Sequence, residues 1–317
     1  MERIMVIGAA GQIGSELTMA LREKYGSDNV VAVGRKTEPS EELMSSGPFE
    51  FSNVLNHEEI KGLVKKYDTD TIYLLAAILS ATGEKNPMLA YRVNNDGLIN
   101  VLEIGRELKL ERILIPSSIA AFGPETPRDN TPNDTILKPK TMYGISKVHG
   151  ELLCDYYFYK YGLDVRGLRY PGIISYKTPP GGGTTDYTVE MYRAAAEGKP
   201  YTCFVKKDTV LPMMYMPDAL KSIVDLAEAD IKKLKHHSDF NVTAMSFSAG
   251  DLADSIRQHK PDFKVTYKPD FRQAIADSWP KSLDDSVARK EWGWSPEYDI
   301  EMMTEDMLEH LPEVLGL

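Results

Sequence analysis

The sequence predicts an α/β fold: a doubly wound parallel sheet followed by a smaller C-terminal α/β domain. Three observations predict it. Short apolar runs alternate with segments of helical apolar periodicity, the pattern of a parallel sheet covered by helices. Glycines cluster at the first joint between such a run and such a segment. Beyond Tyr170 the alternation gives way to PPGGGTT, which fits neither period, and then to mixed short elements.

Taken in order, RIMVIG reads as a buried strand, and Ile13, Leu17 and Leu21 then recur at helical spacing. VVAV from Val30 to Val33 restores strand character and completes a βαβ unit. The alternation continues with helix-patterned EEIKGLVKKY, apolar TIYLL from Thr71, a long helical stretch after Pro87, and the strand RILIP from Arg112 to Pro116. A helix from about Met142 to Lys160 and a strand at DVRGLR extend the sheet. Residues 1–175 are therefore expected to form the nucleotide domain. Residues 176–317 would be mainly a second domain that returns elements to the main sheet. The run LPMMYMPDAL reads as adaptable core, with Pro217 opening a helix.

The 317 residues, 42% apolar and 26% charged, suffice for a sizeable core, and no stretch approaches the roughly 18 uninterrupted apolar residues of a membrane helix. The N-terminal MERIMVIGAA turns glycine-rich too early for an export signal. Two cysteines, Cys154 and Cys203, make no disulfide framework, and the six scattered histidines show no metal-ligand spacing, so the expectation is a cytoplasmic protein with no metal site. A net charge of -10 argues against nucleic acid and anionic membrane as partners.

Gly8, Gly11 and Gly14 stand between the first strand and first helix, where missing Cβ atoms let backbone amides approach a pyrophosphate. That context predicts a Rossmann-type dinucleotide site. In YGISK, a helix puts Tyr143 and Lys147 on one face, where an ammonium favours the phenolate and makes tyrosine a usable base. Alone, this spacing is common by chance and equally describes an exposed tyrosine beside a solvated lysine. Ser118, just after RILIP at the carboxyl end of the sheet, is placed to bond the same substrate oxygen, with Ser117 the lesser choice.

In its glycine run, post-strand serine and YxxxK helix, the chain resembles the extended short-chain dehydrogenases/reductases, the group of nucleotide-sugar epimerases and dehydratases, over essentially its whole length. The resemblance implies that Tyr143 is the acid/base, that Lys147 tunes it and holds the nicotinamide ribose, that Ser118 orients the reacting hydroxyl, and that Asn94 supports the site. It also implies cofactor contacts from Gly8, Gly11, Gln12, Ile13, Gly14, Arg35, Asn53, Val54, Leu75, Ala76, Ala77, Tyr170, Pro171 and Ile173.

The strings AAILSATGEKNPMLAY, PSSIAAFGPETP, RYPGIISYKTPPGGGTTDY and SWPKSLDDSVARKEWGW look like the metal-free branch that oxidises the C3 hydroxyl of L-threonine to 2-amino-3-ketobutyrate with NAD. On that likeness Ser80, Thr184, Thr185 and Asp186 surround the amino acid, Asp186 facing its ammonium. A helix start at TTDY and a capping role for Ser80 remain the alternatives. Trp279 either closes the pocket or fills the small domain. The likeness further implies a homodimer and functional coupling to a 2-amino-3-ketobutyrate CoA ligase.

One departure stands out. The acid that holds the adenosine ribose at the end of the second strand is replaced by Gly34, Arg35 and Lys36, and Asn53 stands where relatives carry an aspartate. The expected cofactor is NAD, with NADP the alternative because of these residues. Competing functions are a nucleotide-sugar epimerase or dehydratase with bound NAD, and a non-catalytic cofactor-sensing protein.

Overall fold

The computed structural model describes residues 2–179 and 181–317. Its strands are β1 (Ile4–Ile7), β2 (Val30–Gly34), β3 (Phe49–Phe51), β4 (Thr71–Leu74), β5 (Arg112–Ser118), β6 (Val165–Tyr170), β7 (Gly172–Ile174), β8 (Tyr201–Cys203), β9 (Val210–Tyr215), β10 (Phe240–Asn241), β11 (Met245–Ser248) and β12 (Val265–Tyr267). Seven of them form one parallel sheet in the order β10-β6-β5-β4-β1-β2-β3. The chain starts in the middle at β1, builds outward through β2 and β3, then crosses back to β4. Strand order therefore reverses between β1 and β4, and the crevice outside their carboxyl ends is where such sheets take ligands.

Because successive side chains of a strand point to opposite faces, the all-apolar IMVI of β1 feeds two cores. Ile4 and Val6 join Leu17 and Leu21 of the first helix, Gln12–Tyr25, and Ile223 of the helix Met216–Glu228. Met5 and Ile7 join Ile60, Val101 and Cys154 from three helices on the other face. A third core lies in the C-terminal part, where β7 pairs with β9 and β9 with β11. Met213, Met214, Tyr215 and Met216 are buried there and in the neighbouring core, and Pro217 occupies the first turn of Met216–Glu228.

Two local readings need correction. Ser118 is the last residue of β5, not a residue after the strand, because the ladder to β6 runs on to the pair Ser118 and Tyr170. The stretch after Pro87 is not one regular helix. It runs as Pro87–Tyr91, a wider π turn at Arg92–Asp96, and Gly97–Leu108, and such turns mark places where a side chain is re-aimed. Among the described residues no helix is long and apolar enough to cross a membrane.

Candidate active site

A cavity of about 480 Å³ occupies the crevice at the β1/β4 reversal. One end is lined by Gly8, Gly11, Gln12, Ile13 and Gly14 at the start of the first helix. Gly8 and Gly14 are obligatory: a Cβ on Gly14 would lie 2.2 Å from the Gly8 carbonyl oxygen, and one on Gly8, at φ +94°, 2.6 Å from the Ala76 nitrogen. The turn is thus packed directly on Leu75 and Ala76, which with Ala77 line the next stretch of wall. A glycine-lined turn at a helix N-terminus, open to a cleft, fits a dinucleotide pyrophosphate.

Midway, two elements converge. The carboxyl end of β5 carries Ser118, whose hydroxyl caps the following turn by accepting the Ala120 amide at 3.2 Å. The helix Met142–Tyr161 starts beside it, capped by Thr141, whose hydroxyl accepts the Gly144 amide at 3.1 Å. Gly144 makes the approach possible, since a Cβ there would stand 2.2 Å from the Ala120 carbonyl oxygen. Ser118, Tyr143 and Lys147 therefore line the same cavity. Lys147 donates from Nζ to the Pro116 carbonyl at 2.6 Å, and Nζ lies 5.3 Å from the Tyr143 ring centre. The two side chains share one helical face, as the spacing requires.

Asn94 sits in the π turn and clamps the loop after β4: its Oδ1 accepts the Ile78 amide at 2.8 Å and its Nδ2 donates to the Ile78 carbonyl at 3.1 Å. Tyr170, Pro171 and Ile173 line the opposite wall. The Tyr170 hydroxyl donates away from it, to Ala219 at 2.6 Å.

The far end is compact. The Ser80 and Thr184 hydroxyls bond each other at 2.9 Å, and Thr185, Asp186 and Trp279 complete the wall. Asp186 is the N-cap residue of the helix Tyr187–Ala196, so TTDY does start a helix, but the Asp186 side chain makes no capping hydrogen bond there. Its Oδ2 instead accepts the amides of Gly182 and Gly183 at 2.7 and 2.8 Å, which folds the glycine loop over the cavity. Burial raises its pKa, against the pull of those two amides. Trp279 lines the cavity while packed in the third core.

Three expected cofactor residues lie outside the lining. Val54 is buried in a core of the main sheet. The Asn53 side chain accepts the Leu55 amide at 3.2 Å, and Arg35 is exposed while Thr37, two residues on, lines the cavity. The sequence reading also missed Glu151. It lines the inner wall, accepts from the Ser117 hydroxyl, and pairs with the buried Arg169 through two bonds of 2.9 and 2.8 Å. Its place four residues after Lys147, on the same helical face, was the available signal. Cys154 also lines this wall, but burial pushes its thiol pKa far up, which makes it a poor nucleophile. Away from the cavity, His236 meets Asp134 at 3.3 Å and Glu291 at 3.0 Å, and one donor atom from each of Asp134, His236 and Asp239 lies within 4.8 Å of the others. Sequence spacing hid this grouping, because Asp134 and His236 are 102 residues apart.

Residues 4–243 match the model of the NAD dependent epimerase/dehydratase family. An uncharacterized epimerase/dehydratase of Staphylococcus haemolyticus is 49% identical over 314 residues, 99% of this chain and 98% of that protein. The L-threonine dehydrogenase structure from Clostridium difficile superposes with a TM-score of 0.96 at 53% identity, covering 99% of this chain and 98% of that one. A monomeric L-threonine 3-dehydrogenase from a metagenome, in its apo form, superposes with a TM-score of 0.94 at 49% identity, covering 98% and 99%.

Proposed function

The chain belongs to the NAD-dependent epimerase/dehydratase family, and on that premise we propose that it oxidises the C3 hydroxyl of L-threonine to 2-amino-3-ketobutyrate. The observation that carries the choice of substrate is the compact, hydroxyl- and carboxylate-lined end of the cavity, formed by Ser80, Thr184, Thr185 and Asp186 next to Ser118 and Tyr143. Full-length likeness to L-threonine dehydrogenases supports it.

In this reading Tyr143 takes the proton of the C3 hydroxyl, while Ser118 donates a hydrogen bond to the same oxygen and fixes its direction. Lys147 is held beside the Tyr143 ring by its bond to Pro116. Asp186 receives the substrate ammonium, with hydroxyls and amides of the Ser80 and Thr184 walls left for the carboxylate. The Gly8 to Gly14 turn would hold a nicotinamide dinucleotide, which would supply the hydride acceptor for C3. With the hydroxyl proton and the C3 hydride both removed, the product is a ketone with an unchanged amino group.

The runner-up substrate is a nucleotide sugar, which would use the same Ser118, Tyr143 and Lys147. The decisive assay is reduced-nicotinamide absorbance with purified protein, L-threonine and either coenzyme, with UDP-sugars run in parallel. Threonine-dependent reduction is the expected result. A silent threonine arm with turnover of a UDP-sugar would give the site to the runner-up.

For assembly we propose a homodimer through the helix Met142–Tyr161. Ile145, Leu152, Tyr156 and Tyr159 form an exposed apolar stripe on it, flanked by exposed Met88 and Ile99 of the neighbouring helices. A monomeric mass in solution, the state of the metagenomic relative, would refute this.

A further inference from the structure

The adenosine end of the cleft departs from what an unphosphorylated ribose needs, and we infer that this chain takes NADP in preference to NAD, with Arg35 receiving the 2′-phosphate. The inference rests on the reading that the Gly8 to Gly14 turn seats a nicotinamide dinucleotide, and it reverses the preference that the family resemblance implied.

NAD-selective sheets of this kind place Asp or Glu at the end of the second strand, where its carboxylate accepts from the ribose 2′-hydroxyl and repels a 2′-phosphate. In this chain β2 ends in Gly34. The position is also sterically closed: a Cβ on Gly34 would stand 2.7 Å from the Phe49 ring and 3.7 Å from Ala10, so even a short acidic side chain would require that ring to swing away. The ring is itself packed edge-on against Phe51, with centroids 5.0 Å apart.

The nearby polar groups cannot stand in for the missing acid. Glu50 on β3 is taken up by Lys66 and Tyr67, each at 2.6 Å. Glu59 accepts the Ser52 hydroxyl at 3.0 Å. Asn53 offers a neutral amide, engaged with the Leu55 backbone. Arg35 and Lys36, by contrast, are exposed, and among the described residues neither is paired with a carboxylate. Thr37, the next residue after them, lines the cavity. An unpaired guanidinium binds a phosphate through two parallel bonds but has no acceptor for a ribose hydroxyl, so its selectivity runs toward the phosphorylated coenzyme.

Calorimetric titration of the full chain, without threonine, tests this with three fragments: adenosine 2′,5′-bisphosphate, adenosine 3′,5′-bisphosphate and adenosine 5′-monophosphate. The 2′,5′-bisphosphate is expected to bind about tenfold or more tighter than the other two, the scale of a charge-assisted hydrogen bond. Arg35→Ala is expected to erase that margin while leaving the monophosphate affinity unchanged, and Arg35→Lys to restore part of it. Equal binding of the 2′,5′-bisphosphate and the monophosphate would overturn the inference. So would equal binding of the two bisphosphates, which would mean attraction of charge without a 2′ site, or a margin that survives Arg35→Ala. If none of the three fragments binds, the dinucleotide reading of the cleft itself falls, whereas loss of selectivity alone leaves it standing.

Discussion

The ammonium of Lys147 stands 5.3 Å from the ring centre of Tyr143, one helical turn away on the same face of Met142–Tyr161. In the proposed reaction Tyr143 is the base, and removing the phenol while keeping the ring isolates its role. Tyr143→Phe is expected to lower threonine turnover by about 10²-fold or more, the scale of general-base loss, with nucleotide affinity nearly unchanged. Retained turnover would contradict the assignment.

The glycine turn makes a purely steric prediction. In Gly14→Ala the new methyl would meet backbone atoms of Gly8, at 2.2 Å from the oxygen and 2.9 Å from the carbon, and backbone cannot step aside as a side chain can. The variant should lose nucleotide binding and about 1–3 kcal/mol of stability. Gly62→Ala is the control, since nothing lies within 4 Å of its added Cβ and the site is inside the helix His57–Lys66. It should stabilise by about 0.4–1 kcal/mol. Nucleotide titration and thermal unfolding read both variants.

These two sites also show what was legible. Gly14 and Tyr143 lie in short-range patterns tied to a strand-turn-helix order, and local spacing carries that information. The grouping of Ser80 with Thr184, whose bond spans 104 residues, was reached only through the family resemblance. The expected return of an element to the main sheet came without its residues, Phe240–Asn241 beside β6, because that pairing depends on packing far from either segment in sequence. The π turn that aims Asn94 at Ile78 escaped because its residues, RVNND, keep a helical look. Glu151 escaped for a different reason. Its carboxylate reads as solvated helix surface until Arg169, on a strand buried along its whole length, is seen to need a partner.

Asp186 offers a separation of binding from stability. Asn at this position can keep a carbonyl oxygen where Oδ2 now accepts the Gly182 and Gly183 amides. It removes only the charge. Losing a charge-assisted bond to the substrate ammonium should raise the KM for threonine by about tenfold or more, with kcat much less affected. Burial raises the Asp186 pKa, so the ionised form is a cost to the fold at neutral pH, and Asp186→Asn should not lower the unfolding temperature. An unchanged KM would remove Asp186 from the substrate site.

Asp239 carries a pH signature of its own. Burial pushes its pKa up to about 6, despite Arg169 at 3.7 Å. An unfolded carboxylate titrates near ~3.9, so between these values the unfolded chain binds fewer protons than the folded one, and the stability contribution falls as pH rises through that window. Asp239→Asn should therefore unfold at a higher temperature than the parent at about pH 7, with the difference closing below about pH 4. Arg169 remains paired with Glu151 in the variant. A variant that is less stable at neutral pH would mean that the Arg169 contact outweighs the burial.

The measurement closest to the central claim follows the hydrogen on C3. L-threonine deuterated at that carbon, incubated with the enzyme and oxidised coenzyme, should yield reduced nicotinamide carrying one deuterium for each 2-amino-3-ketobutyrate formed. Reduced coenzyme without deuterium, or deuterium that stays on the amino acid while no coenzyme is reduced, would contradict the account.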